Sequence, residues 1–108
     1  RDPAWGPVLM AGLGGVWTEA MGDVRLIPAG ASPARIEAEL RALKAARLLG
    51  PFRGAPARDV AAVARTLATL GALMLASPRL AEIEINPLIV YGEGEGVLAL
   101  DALLVMAP

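Results

Sequence analysis

The chain has 108 residues, 56% of them apolar, a net charge of -1, and neither cysteine nor histidine. That length holds one domain, burying roughly 60–68% of its unfolded surface, and the near-neutral charge argues against a nucleic-acid footprint or attraction to an anionic membrane. Without thiols or imidazoles there are no disulfides, no thiolate or imidazole metal ligands and no histidine phosphoryl carrier in the chain. No stretch reaches the ~20 predominantly apolar residues of a spanning helix and no signal peptide is evident, so a cytoplasmic protein is the expectation.

Residues 5–15, WGPVLMAGLGG, read as an apolar strand entering a glycine turn. Gly12, Gly14 and Gly15 permit the tight turning and close backbone approach that phosphate-cradling loops use, and a plain hairpin turn uses them equally. No lysine follows at Walker spacing and no helix opens there, so neither a P-loop nor a dinucleotide fingerprint is present. Residues 16–21 alternate as a second strand, with Trp17, Glu19 and Met21 on one side, and residues 24–27 form a third, stopped by Pro28. Glu19 and Asp23 either face a ligand or pair with arginines.

Ser32-Pro33 starts a helix with an N-cap hydroxyl and a proline at its first position. Ile36, Leu40, Leu43 and Arg47 recur at helical spacing, and Gly50-Pro51 ends it. In the connection Gly50-Pro-Phe-Arg-Gly54, Arg53 either meets a phosphate or another domain, or bonds helix-end carbonyls. A second helix runs from Pro56 or Ala57 to Ala76 with Val60, Val63, Leu67, Leu70 and Met74 as its buried stripe, until Ser77-Pro78 stops it.

The chemistry gathers in residues 81–101, AEIEINPLIVYGEGEGVLALD, which read as a β-hairpin with glycines in its loop. Alternation places Glu82, Glu84 and Asn86 on one face and Ile83 and Ile85 on the other. A symmetric loop pairs Val90 with Val97, Leu88 with Ala99, and Asn86 with Asp101. An amide oxygen and a carboxylate then stand close enough to share a hard cation. A slip of one residue would turn Asp101 to the wrong face. A hydrogen-bonded surface pair beside a solvated acidic face accounts for the same spacing.

Glu84-Ile-Asn-Pro-Leu88, followed by a hydrophobic strand ending in Leu100-Asp101-Ala102, resembles the end of the ATP-grasp module in acyl-CoA synthetases of the NDP-forming kind, which include ADP-forming acetate–CoA ligases and the succinyl-CoA synthetase β subunit. Gly6-Pro-Val-Leu-Met, Gly12-Leu-Gly-Gly15, the Glu19 and Asp23 pair, and Phe52-Arg-Gly54 with Pro56 and Asp59 extend the likeness over essentially the whole chain. It departs from the family after Asp23, where the family's arginine and proline come later than Arg25 and Pro28 do.

The expected fold is α+β, order β-β-β-α-α-β-β, a mainly antiparallel sheet with two helices on one face and half of an ATP-grasp fold. Residues 1–108 are expected to be a single domain, a C-terminal ATP-grasp subdomain cut from a longer chain. The resemblance implies an acid–CoA ligase that couples ATP or GTP cleavage to acyl-CoA formation through a phosphohistidine. It implies Mg²⁺ on Asn86 and Asp101, Glu84 beside the phosphohistidine segment, and Gly12, Gly14, Gly15, Glu19 and Arg53 toward the nucleotide. The implied partners are the N-terminal ATP-grasp subdomain, CoA-binding domains, CoA and a carboxylic acid, and the piece alone is expected to be inactive. Two alternatives stay open: a non-catalytic regulatory module of a protein acyltransferase, and a structural interface domain.

Overall fold

The computed structural model describes residues 1–3, 6–13, 23–51 and 54–108. Strands β1 (Val8–Gly12) and β2 (Val24–Pro28) pair antiparallel, with Leu9 opposite Ile27 and Gly12 opposite Val24. Strand alternation turns Leu9 and Ile27 inward and leaves the Met10–Leu26 pair exposed. The second expected strand, residues 16–21, lies outside the described residues.

Helix α1 (Pro33–Arg41) opens as its sequence requires, the Ser32 hydroxyl accepting the Arg35 N–H at 3.2 Å with proline in the first turn. It stops well short of the expected Gly50. Asp23 supplies the reason: its carboxylate accepts the N–H groups of Lys44 at 2.6 Å and Ala45 at 3.1 Å. Those donors would otherwise bond to carbonyls one helical turn back, so the chain leaves the helix there. A short 3₁₀ turn, Ala46–Leu49, follows. Leu43 and Leu49 remain buried all the same.

Helix α2 (Val60–Ala76) begins later than Pro56 or Ala57, with Asp59 as its N-cap. Residues 57–59 are instead bonded to the distant hairpin loop. The two helices cover one face of β1–β2, and Leu9, Ile27, Ile36, Leu40, Leu43, Leu49, Val60 and Ala64 form the core. Val63, Leu67 and Leu70 pack on its margin, which keeps the expected stripe. Gly71 lies so close to the chain after β2 that a methyl group there would land on the Ala29 carbonyl oxygen.

The remaining strands, β3 (Leu80–Ile85), β4 (Leu88–Val90), β5 (Val97–Ala99) and β6 (Ala102–Met106), form one long hairpin. It divides into two antiparallel pairs, β3–β6 at the base and β4–β5 at the tip. Among the described residues the α+β architecture with two helices therefore stands, its antiparallel pairing made of two-stranded units. No helix among the described residues is long and apolar enough to cross a membrane.

Candidate functional site

From Glu82 to Val90 the hairpin keeps one register, which shifts at a bulge between Leu80 and Glu82 at its base. Ile85 pairs with Ala102, Leu88 with Ala99 and Val90 with Val97, so Asn86 falls opposite Asp101 as the alternation predicts. Between the two pairs the regular ladder is interrupted, but the chains stay bonded: the Asn86 N–H donates to the Asp101 carbonyl at 3.1 Å, and the Leu100 N–H to the Pro87 carbonyl at 3.1 Å. The Asn86–Pro87 peptide is cis. Positive φ at Gly94 and Gly96, +84° and +85°, closes the loop in a conformation that glycine adopts without strain.

Glu84 sits one strand repeat from Asn86 and therefore shares its face. Glu84, Asn86 and Asp101, with Ala102 and Leu103, line a depression of about 300 Å³ at the interruption. All three polar side chains are exposed. One oxygen of Asp101 accepts the Ala102 N–H at 2.9 Å, which fixes the carboxylate's direction and leaves its second oxygen for a ligand. Two carboxylates and an amide oxygen on one face make a hard-oxygen donor set.

Gly12 ends β1 opposite Val24 and is not among the residues lining the depression. Gly14, Gly15, Glu19 and Arg53 lie outside the described residues. Asp23 turns to backbone N–H groups, as above, and Arg25 pairs with Glu39, Nε to the carboxylate at 2.8 Å.

Asp59 is the residue whose part sequence reasoning missed. It is buried, caps α2 through the Ala62 N–H at 3.1 Å, and with its other oxygen accepts the Gly96 N–H of the hairpin loop at 2.8 Å. Those amides, Gly96 first and Ala62 second, hold its carboxyl below the ordinary carboxylate range, with Arg65 and Gly94 adding to them against the cost of burial. An aspartate ahead of a helical run signals the cap. Nothing local signals a bond to a glycine 37 residues later.

This hairpin, with its paired amide and carboxylate beside two packed helices, defines a recognisable domain class. The profile of the ATP-grasp domain matches residues 1–106, and the chain belongs to that family. Within it the chain resembles the NDP-forming acyl-CoA synthetases. It is 46% identical over 106 residues to a trans-feruloyl-CoA synthase from an unknown prokaryotic organism, covering 98% of this chain and 15% of that protein. With the β subunit of ADP-forming acetate–CoA ligase I from Pyrococcus furiosus it shares 33% identity over 106 residues, 98% of this chain and 45% of that subunit.

Among solved structures, the apo form of the dinucleotide-forming acetyl-coenzyme A synthetase 1 of Ca. Korarchaeum cryptofilum superposes with a TM-score of 0.89 at 35% identity, covering 98% of this chain and 50% of that one. The same synthetase, solved with coenzyme A and Mg-AMPPCP and with its phosphohistidine segment pointing towards the nucleotide binding site, matches equally well over 49% of its chain. The chain thus spans half or less of the length of these relatives.

Proposed function

We propose that this chain is the Mg²⁺- and nucleotide-binding half of a longer NDP-forming acid–CoA ligase of the cytoplasm, which cleaves ATP or GTP to form an acyl-CoA through a phosphohistidine. The observation that carries the reading is the Asn86–Asp101 juxtaposition within the register shared from Glu82 to Val90, with Glu84 on the same face. The donor set fits Mg²⁺: it is all oxygen, and an ion that retains water and phosphate ligands asks only one or two carboxylates of the protein. Asn86 and Asp101 would hold it. Once bound, it supplies neutralisation of the nucleotide phosphates during phosphoryl transfer.

The chain's own groups do the rest by position. Asp101 brings the charge, and its bond to the Ala102 N–H keeps one oxygen directed away from the site. Asn86 adds a neutral oxygen directly opposite, so the charge within the pair itself comes from Asp101 alone. Glu84, next along the face, would meet the incoming phosphohistidine segment, where a carboxylate accepts a hydrogen bond from an imidazole N–H. Gly12, with Gly14, Gly15, Glu19 and Arg53, would serve the nucleotide side. The missing ATP-grasp subdomain and the CoA-binding domains would complete the cleft and supply CoA and the acid.

Asp101→Asn in the full-length ligase tests this. A cross-strand pair of this kind contributes about 0.2–1 kcal/mol, so folding should survive. Thioester formation should fall by about 10²–10³-fold, the loss that follows removal of one electrostatic stabiliser. A folded variant with an unchanged rate at limiting Mg²⁺ would show that the pair is a surface contact. Nucleotide binding without turnover in the unaltered protein would favour the regulatory alternative.

A further inference from the structure

One buried carboxylate is left unused by the function proposed above. Asp59 is 5% exposed and is the buried charged side chain among the described residues. Its bond to Ala62 is an ordinary helix cap. The cap does not require the second bond, to Gly96.

The surrounding backbone repeats that second connection. The Asp59 N–H donates to the Tyr91 carbonyl at 2.9 Å, the Glu93 N–H donates to the Ala57 carbonyl at 2.8 Å, and the Arg58 guanidinium reaches the Val90 carbonyl at 3.4 Å. The hairpin tip is therefore fastened to the N-terminus of α2. Its base is fastened separately. Leu80 is 3% exposed, the Ala107 N–H donates to the Arg79 carbonyl at 2.7 Å, and Arg1 Nε donates to the Leu80 carbonyl at 3.0 Å.

Between these attachments the ribbon is open on its β6 side, while Ile83, Ile85 and Leu88–Val90 are half-buried. Every residue of β6 is exposed, and the ladder is interrupted where Asn86 faces Asp101. A two-stranded ribbon has marginal stability of its own in water. The orientation of the tip pair against the base pair is then set by what holds the two ends. The Val90–Val97 pair next to Gly96 lies four residue steps, about 13 Å along a strand, from Asn86–Asp101.

Resting on the function proposed above, we propose that Asp59 is a positioning residue for the metal site: by clamping Gly96 it fixes β4–β5 relative to β3–β6, and so fixes how Asn86 and Asp101 present their oxygens to a hard cation. Outer partners that orient metal ligands without touching the metal change affinity or activity by about 10–100-fold when removed.

Asp59→Ser separates capping from clamping. A serine hydroxyl caps a helix about as well as an aspartate, but its single oxygen cannot hold the Ala62 and Gly96 N–H groups together. In the full-length ligase, amide hydrogen exchange is followed across the hairpin, and thioester formation is titrated with Mg²⁺ at saturating nucleotide. The expected result is faster exchange at Asn86, Gly96 and Leu100, with an Mg²⁺ half-saturation about 10–100-fold higher and kcat at saturating Mg²⁺ near the parent's. Either readout remaining at the parent value overturns the inference. Should Asp59→Ser fail to fold, Asp59→Asn carries the same two readouts. Asp101→Asn is run alongside: if it leaves the Mg²⁺ dependence unaltered, the site itself is misread and the inference goes with it. If it abolishes turnover while the Asp59 variants match the parent, the positioning role alone is wrong.

Discussion

A carboxylate that accepts bonds from backbone amides gives up its proton more readily than one in water, and Asp59 is held this way by Gly96 and Ala62. Its folded pKa lies below its unfolded one, so its stabilisation is fully present above about pH 3.9 and is lost as the pH falls through the folded value. Melting temperatures taken between about pH 6 and pH 2 should fall more steeply for the parent than for Asp59→Asn, which has no proton to gain. Equal acid slopes would mean that this carboxylate is not the titrating group. At the same scale, Asn86 and Asp101 were legible in the sequence because strand parity is a local rule, and the loop glycines gave it an origin. The clamp was illegible because it joins two segments 37 residues apart.

At the scale of an element, Gly71 illustrates packing overriding propensity. Alanine in a helix interior is ordinarily favoured over glycine by about 1 kcal/mol. Here the added methyl would meet backbone, the Ala29 carbonyl, which cannot rotate aside as a flexible side chain can. Gly71→Ala should therefore destabilise the fold by roughly 1–3 kcal/mol, read as a drop of about 4–8 °C in melting temperature per kcal/mol. A rise instead would show that α2 and the Ala29 turn can separate at little cost. The length of α1 belongs here too. Ile36, Leu40 and Leu43 all face the core as their spacing predicts, yet the helix ends at Arg41 because a carboxylate 21 residues upstream takes the Lys44 N–H. The periodicity marked the buried positions and could not mark the end.

At the scale of the whole molecule, the proposed site lies on an open face rather than in a closed cleft. Leu100 and Leu104, both 58% exposed, continue the apolar surface along the hairpin. With one wall of a cleft and its only lysine, Lys44, in the turn after α1, the isolated chain should bind Mg-nucleotide no more tightly than millimolar, about -4 kcal/mol. Calorimetry checks this, and incubation with nucleotide, Mg²⁺, CoA and short acids should yield no thioester. A micromolar complex would mean the site is complete within these residues. The α+β class was legible from the order of the periodic segments. The division of the hairpin into two pairs was signalled only by Pro87, which marks an irregularity without saying how it is closed. Because the hairpin is fastened at both ends and keeps a single register from Glu82 to Val90, its two arms are tied in length over that span. One residue inserted after Leu88 would have to displace either the docked tip or the alignment of Asn86 with Asp101. A second residue inserted before Ala99 would restore the pairing but move the tip one residue step along α2 and turn its faces over. The length between the tip and the Asn86–Asp101 pair is therefore fixed twice, by the pairing and by the docking of Gly96 on Asp59, whereas the bulge between Leu80 and Glu82 gives the base room for an unmatched residue.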